Sequence, residues 1–231
     1  LKALVLKEYG KFSYEDAPMP EMKDDEVLIR VRAASICGSD VHGMDGSTGR
    51  REPPVIMGHE CAGTIEDIGS AVKGFSKGDR VAVQSLLHCG SCLSCLEGKY
   101  NLCENRLVLG VSCKELFKNG AFAEYITARA VAVHKIPDGL GFVEASMMEP
   151  LSISCHAVSL VHTDPKKPVL VLGTGTIGLF TVQVLKAGGC ERIIAADRNG
   201  YKLELAKKGG AAETIDLSKK SLGEEISRLT E

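Results

Sequence analysis

Residues 168–178 read Pro-Val-Leu-Val-Leu-Gly-Thr-Gly-Thr-Ile-Gly, and this stretch decides the fold of the second part of the chain. The apolar run before Gly173 is typical of a strand that is buried on both faces of a parallel sheet. The glycines that follow fit the pattern G-x-G-x-x-G, and residues 176–187 predict a helix. The stretch therefore predicts a strand, a tight glycine turn and a helix in direct succession.

The glycine turn is a candidate site for the pyrophosphate of a dinucleotide. Gly173 permits the tight turn, Gly175 allows close approach of the backbone, and Gly178 lets the helix pack on the strand. The N-terminus of the helix offers free N–H groups to a phosphate, and we include Ile177 among the candidate contacts. The alternative is a glycine turn of an α/β fold that binds nothing.

Asp197 ends the next predicted strand and is the candidate partner of the adenosine ribose. A carboxylate there would accept hydrogen bonds from the ribose and repel a 2′-phosphate, which favours NAD over NADP. The neighbouring Arg198 weakens this distinction. We include Arg198 and Lys202 among the candidate cofactor contacts.

The elements after Pro150 alternate as half of a doubly wound parallel sheet, with the order β-α-β-α-β after a leading helix. A complete fold of this type needs a second half of similar size, so we expect the sequence to be either a truncated chain or the ordered part of a longer one. The predicted helices are 151–162, 176–187, 201–208 and one from near Ser221, and the predicted strands are 168–173, 192–197 and 213–216.

The part of the chain before about residue 145 is predicted to be rich in β-strands. Alternating apolar and polar residues indicate half-buried strands, and glycines at their ends permit the bends of a small barrel. The predicted strands are 27–33, 63–69, 121–127 and 130–137, together with one that follows a turn within 78–83.

Cys89, Cys92, Cys95 and Cys103 have the spacing C-x2-C-x2-C-x7-C within a predicted lobe at 86–106. Four thiolates held this close suit a tetrahedral structural zinc with a closed shell. A second, scattered group of possible ligands lies elsewhere in the chain.

This second group comprises Cys37, His59, Glu60 and Glu149. A mixed set of Cys, His and carboxylate ligands is typical of an open zinc site, where the metal acts as a Lewis acid on an alcohol oxygen. Taken singly, Cys37 can be a small buried apolar residue, His59 a hydrogen-bonded histidine, and Glu149 a turn or cap residue.

The composition excludes several classes of protein. Of 231 residues, 44% are hydrophobic and 25% charged, as in soluble globular proteins. The net charge of −2 without a basic block argues against a nucleic-acid partner, and no apolar run approaches the roughly 20 residues of a membrane helix. The apolar run between Lys2 and Lys7 is too short for a secretion signal. The nine cysteines could belong to a secreted disulfide protein, but the metal spacing favours a cytoplasmic one.

Five motifs occur in one order that resembles the zinc-containing medium-chain alcohol and polyol dehydrogenases over the whole chain. The resemblance implies a GroES-like catalytic barrel at 1–150, a Rossmann NAD-binding domain at 151–231 that lacks its second half, and an active site in the cleft between them. The motifs are Cys37-Gly-Ser-Asp-Val-His42, Gly58-His-Glu-Cys-Ala-Gly63, the four-cysteine lobe, Glu149-Pro-Leu151 and the glycine turn.

The resemblance implies two zinc ions per subunit. Cys37, His59 and Glu149 match catalytic zinc ligands, and Glu60 matches a carboxylate that either binds the metal or gives way to water. The structural zinc ligands of the family are matched by Cys89, Cys92, Cys95 and Cys103.

Three residues of the first motif match supporting roles in this family. Ser39 matches the hydroxyl that passes on the substrate proton, and His42 matches an outer relay to solvent. Asp40 matches the partner that orients His59.

The implied reaction is transfer of a hydride from a secondary alcohol to NAD. Glu149 stands where the ethanol-oxidising branch commonly has cysteine, which indicates a polyol such as sorbitol or xylitol, or galactitol phosphate. Arg50 and Arg51, in the polar loop 44–51, would suit a phosphate, although a solvated charged loop fits as well. Threonine and simple secondary alcohols stay open as substrates, and we expect a dimer or tetramer.

Two other interpretations compete with this one. A non-catalytic, zinc-stabilised protein could keep the nucleotide fold for binding alone. A zinc-free quinone reductase of the same superfamily would lack the four-cysteine lobe and Gly58-His-Glu, so both motifs argue against it.

Overall fold

The computed structural model describes residues 1–113, 116–161 and 164–230, except for the side chains at 112, 113 and 116. The chain divides into two compact units, Leu1–Glu149 and Pro150–Glu231. Each unit has an apolar core of its own.

The first unit consists mainly of antiparallel strands joined by turns and short helices. Turns of 3-10 helix lie at Tyr100–Leu102 and Ala130–Ala132. The strands and helices are β1 (Lys2–Glu8), β2 (Lys11–Asp16), β3 (Glu26–Ser35), α1 (Gly38–Met44), β4 (Val55–Ile56), β5 (Glu60–Ile68), β6 (Arg80–Val83), β7 (Leu86–Leu87), α2 (Leu93–Leu96), β8 (Leu107–Val108), β9 (Val111–Cys113), β10 (Leu116–Lys118), β11 (Tyr125–Arg129), β12 (Val133–Lys135) and α3 (Phe142–Ser146).

A five-stranded sheet with the order β11-β3-β5-β6-β12 forms the centre of the first unit. All its neighbouring strands are antiparallel, and Ile29 of β3 lies opposite Ile65 of β5 in the buried core. The same register places Ser35, the last residue of β3, opposite Glu60, the first residue of β5. The segments that follow β3 and precede β5 therefore meet at one edge of the sheet.

A second sheet has the order β2-β1-β4 and covers a smaller apolar cluster. Leu6 of β1 and Val55 of β4 are paired in it, and Met57 packs beside them. Our sequence analysis did not predict β1, β2 or α1.

The second unit is a parallel sheet of order β13-β14-β15 with helices between its strands, which confirms the predicted alternation of strand and helix. Its core contains Val171, Val182, Ile193 and Ala206. The elements are α4 (Met148–Ser159, which starts at the end of the first unit), β13 (Val169–Leu172), α5 (Thr176–Ala187), β14 (Ile193–Asp197), α6 (Gly200–Gly209), β15 (Glu213–Asp216) and α7 (Leu222–Thr230).

The helix that we expected from Leu151 begins at Met148, so Glu149 and Pro150 lie in its first turn. A proline is tolerated there because the first N–H groups of a helix have no partner within the helix. The helix ends at Ser159, and its expected end, His162, lies outside the described residues.

The strands of the first unit also differ in their bounds from those predicted: the strands expected at 27–33 and 63–69 are observed at Glu26–Ser35 and Glu60–Ile68. The strand expected at 121–127 runs from Tyr125 to Arg129, because it pairs with β3 as far as Glu26. The strand expected at 130–137 begins at Val133, after the 3-10 turn. In the described part of the chain, no helix is both long and apolar enough to cross a membrane.

Replacing Ile29 by Ala should destabilise the first unit, because Ile29 is 0% exposed in the core of the five-stranded sheet. We expect a loss of about 2–5 kcal/mol in the free energy of unfolding, measured by denaturant titration. Ile36→Ala is the matched control, since Ile36 is 73% exposed. Equal losses for the two variants would contradict this assignment of the core.

Candidate functional site

The four-cysteine lobe is an excursion between β7 and β8, which pair antiparallel and close its base. The four Sγ atoms all lie within 4.8 Å of one another. Sγ of Cys95 lies 3.9 Å from that of Cys89 and 3.5 Å from that of Cys92. Ligands of a tetrahedral zinc with Zn–S bonds of about 2.3 Å are about 3.8 Å apart, so these four sulfurs fit zinc.

The pKa values of two thiols of the lobe, Cys89 and Cys95, are shifted in opposite directions. Backbone N–H groups of Ser91 and Cys92 lower the pKa of the Cys89 thiol to about 5. Burial raises the pKa of the Cys95 thiol to about 12, and the sulfur atoms beside it act in the same direction. Sulfurs this close can all be thiolates only when a cation lies among them.

Arg129 attaches the base of the lobe to the five-stranded sheet. Its Nη1 donates to the carbonyl oxygen of His88 at 2.9 Å, and its Nε donates to Asp25 Oδ2 at 2.8 Å. The His88 ring stacks on the Tyr100 ring with 4.2 Å between centroids. This contact makes His88 part of the packing of the lobe.

The second cluster forms where the end of β3 meets the start of β5. Cys37 caps the N-terminus of α1, two residues after β3, and His59 and Glu60 enter β5. Their three candidate donor atoms lie within 4.8 Å of one another, and His59 Nε2 is 4.0 Å from Glu60 Oε1. One thiol, one imidazole and one carboxylate fit an open zinc site.

Asp40 lies behind His59 and is itself buried. Its Oδ1 is 3.4 Å from His59 Nδ1, a close charge contact without hydrogen-bond alignment, and its Oδ2 accepts from the Cys37 N–H at 3.1 Å. Burial by itself lowers the pKa of His59, but the contacts with Asp40 and Cys37 outweigh this effect and raise the pKa to about 9. Asp40 therefore occupies the place from which it can direct Nε2 of His59 towards the metal ligands.

The Glu149 carboxylate lies near this cluster but outside the three mutually close donors. Burial raises the pKa of Glu60, and the charge of Glu149 adds to this effect. Glu149 Oε1 accepts a hydrogen bond from Ser85 Oγ at 2.6 Å. Ser85 follows β6, and no motif in the sequence had pointed to it.

Arg51 differs from our expectation of a polar, phosphate-binding loop. Its side chain is 3% exposed, and its Nη2 lies 3.2 Å from Asp40 Oδ1. The guanidinium is therefore occupied by a buried carboxylate, whereas the adjacent Arg50 is exposed. A pair of arginines that jointly binds a phosphate does not form in this unit.

Ser39 and His42 lie on α1 and are both exposed. They are three residues apart, so they share one face of the helix. Ser39 Oγ is 3.5 Å from Arg51 Nη2, and the carbonyl oxygen of His42 accepts from Ser47 Oγ at 2.6 Å. The helix thus presents the hydroxyl and the imidazole to solvent beside Cys37.

The glycine turn joins β13 to α5. Gly173 has φ +88°, which favours glycine. A Cβ atom at Gly178 would overlap the carbonyl oxygen of Gly173, whereas a Cβ at Gly175 would meet open space. Gly175 is the N-cap of α5, and Ile177 in the first turn is 40% exposed.

Asp197 is tied to this turn from the end of β14. Its Oδ2 accepts from the N–H of Thr174 at 2.7 Å and from the Thr174 hydroxyl at 3.0 Å. The backbone bond from Thr174 lowers the pKa of Asp197, so the carboxylate stays charged. Arg198 and Lys202 are exposed beside it.

Comparison with known proteins agrees with this geometry. The family model described as "Alcohol dehydrogenase GroES-like domain" matches residues 23–138, and the one described as "Zinc-binding dehydrogenase" matches residues 176–231. The chain is 40% identical over its full length to a sorbitol dehydrogenase of Bacillus subtilis and to an L-threonine 3-dehydrogenase of Bacillus licheniformis. It covers 65% and 66% of these relatives, so it spans slightly less than two thirds of their length.

A solved structure from Escherichia coli CFT073, described as a short chain alcohol dehydrogenase complexed with NADH, has the same fold. It is 35% identical, its TM-score is 0.91, and the match covers 99% of this chain and 66% of that one. The chain therefore belongs to the zinc-binding, medium-chain alcohol and polyol dehydrogenase family. The resemblance inferred from the motifs and the predicted fold class are both confirmed.

Replacing Cys92 by Ser should remove the lobe zinc and lower the stability of the first unit, because the closed shell loses one of its four sulfurs. We expect one zinc fewer per chain in metal analysis and a lower midpoint of thermal unfolding. Cys155→Ser is the control, because Cys155 is exposed and outside both clusters. Equal zinc loss in the control would contradict the assignment.

Proposed function

We propose that the protein is a zinc-dependent oxidoreductase that transfers a hydride from a secondary alcohol of a polyol to NAD. The observation that carries the proposal is the mutual approach of the Cys37, His59 and Glu60 donor atoms in a chain of this family. In this proposal, residues 1–150 are the catalytic domain, and residues 151–231 are the first half of the nucleotide-binding domain.

Zinc bound by Cys37, His59 and Glu60 would supply a Lewis acid that lowers the pKa of the substrate alcohol. Glu149 is our fourth candidate ligand, and Glu60 is the carboxylate that would either bind the metal or give way to water. Ser39 would accept the substrate proton, and His42 would pass it to solvent, since both side chains are exposed on one face of α1. Cys89, Cys92, Cys95 and Cys103 would hold the structural zinc.

The glycine turn would bind the pyrophosphate of the dinucleotide. The open space at Gly175 and the N-terminus of α5 support this role for Gly173, Gly175, Ile177 and Gly178. The charged carboxylate of Asp197 supports NAD as the cofactor, because it would repel the 2′-phosphate of NADP. Arg198 and Lys202 are exposed at the same end of the sheet and remain candidate contacts.

Polyols are our first choice of substrate, supported by Glu149 and by the similarity to a sorbitol dehydrogenase. The equal identity to an L-threonine 3-dehydrogenase keeps threonine as a second candidate. The burial of Arg51 removes the argument for a phosphorylated polyol that rested on the paired arginines.

We also propose a homo-oligomeric protein of the cytoplasm. The thiols whose side chains the structure describes are all free, which supports a reducing compartment. The proposal of a dimer or tetramer rests on the family alone.

Replacing Cys37 by Ala should abolish NAD-coupled oxidation of polyols while the lobe keeps its zinc. The experiment screens sorbitol, xylitol, threonine and simple secondary alcohols by NADH formation, with zinc counted per chain in the same samples. Cys155→Ala serves as the control for a lost cysteine outside both clusters. Two zinc ions per chain without turnover of any alcohol in the parent protein would instead favour a non-catalytic nucleotide-binding protein.

Replacing Asp197 by Ala should reduce the preference for NAD over NADP, because the charge facing the ribose is lost. The measurement is the ratio of the two dissociation constants by calorimetric titration. Asp216→Ala is the matched control, since Asp216 ends the neighbouring strand in register with Asp197. An unchanged ratio would contradict the ribose role of Asp197.

A further inference from the structure

Arg51 and Asp40 form a fully buried ion pair in the first unit. Each side chain is 3% exposed, and Arg51 Nη2 lies 3.2 Å from Asp40 Oδ1. Arg51 is the only lysine or arginine classed as buried among the described residues. Moving a guanidinium out of water costs free energy unless the group is paired with an opposite charge. The ion pair with Asp40 therefore explains how Arg51 can be buried.

The helix that carries Asp40 is shaped to receive this side chain. A Cβ atom at Gly43 of α1 would overlap Cγ of Arg51. The aliphatic part of Arg51 therefore packs against α1 at a position that has no side chain. Arg51 Nη1 also donates to the carbonyl oxygen of Arg50 at 3.2 Å. These contacts fix the end of the guanidinium against Asp40.

Arg51 thereby touches two residues of the proposed machinery at once. Its Nη2 faces Asp40 Oδ1, which lies 3.4 Å from His59 Nδ1, and it also lies 3.5 Å from Ser39 Oγ. A planar guanidinium with several fixed donors can hold both oxygens, whereas an ammonium is a single mobile charge.

We infer that Arg51 is a positioning residue of the zinc site. Arg51 fixes the side chain of Asp40, and Asp40 in turn fixes the orientation of the His59 ring. Arg51 also orients the hydroxyl of Ser39. The inference rests on the proposed function, because it assumes zinc at Cys37, His59 and Glu60. Asp40, Glu60 and Glu149 all contribute negative charge around this site, and the buried guanidinium of Arg51 offsets part of it. Partners of metal ligands in this position typically change metal affinity by roughly 10- to 100-fold when removed.

The test compares Arg51→Met, Arg51→Lys and the parent chain by chelator competition with zinc counted per chain, and by visible spectroscopy after replacement of zinc by Co²⁺. Arg51→Met should weaken metal binding at the Cys37 site by roughly 10- to 100-fold and change its cobalt spectrum, while the lobe keeps its zinc. Arg51→Lys should show a smaller loss. Arg30→Met is the matched control, because Arg30 is exposed in the same unit.

The variant Asp40→Asn and the double variant with Arg51→Met separate positioning from general stability. If Arg51 acts through Asp40, adding Arg51→Met to Asp40→Asn should change metal affinity little. Should Arg51→Met alone fail to fold, Arg51→Lys and the double variant carry the same comparison. Additive losses, or unchanged affinity in Arg51→Met, would overturn the inference.

The two proposals fail in different ways. A parent chain that binds zinc only in the lobe would reject the zinc site at Cys37 itself. A parent chain that binds two zinc ions, together with variants that bind both as tightly, would reject the role of Arg51 alone.

Discussion

Asp40 is a buried carboxylate with partners from three separate segments of the chain. It accepts from the Cys37 N–H at the start of α1, pairs with Arg51 after the following loop, and lies 3.4 Å from His59 before β5. Burial raises the pKa of a carboxyl group, yet these contacts lower the pKa of Asp40 below its usual value. A charge kept inside the unit in this way requires all three segments to adopt one arrangement, and the candidate metal ligands are attached to two of them.

The central sheet makes that arrangement possible. Antiparallel pairing of β3 with β5 sets Ser35 opposite Glu60, so residues far apart in the sequence reach the same edge. The pairing of β6 with β5 brings Ser85 to this part of the unit, and Ser85 binds Glu149. Because one face of the sheet is a closely packed core, a shift of register by one residue would bury polar side chains there. The register of the core thus maintains the geometry of the site.

The two cysteine-containing clusters have different physical characters. The lobe offers four sulfurs, a closed set that suits a structural metal, and Arg129 fastens its base to the sheet. The Cys37 cluster mixes sulfur, nitrogen and oxygen, lies beside exposed Ser39 and His42, and depends on a network of buried charges. The second unit has its own core and joins its glycine turn to Asp197 through Thr174.

The sequence by itself determined the succession of strands and helices in the second unit and the spacing of the four-cysteine lobe, and it supplied the scattered residues that we propose as metal ligands. These features depend on local spacing: α5 and β15 have the predicted bounds because periodicity and glycine turns act within a few residues. Only the tertiary structure decided the burial of Arg51, the contact of Ser85 with Glu149, and the start of α4 at Met148. Arg51 looks like a residue of a polar loop until a buried carboxylate from another segment is placed beside it, and no local pattern encodes that long-range contact.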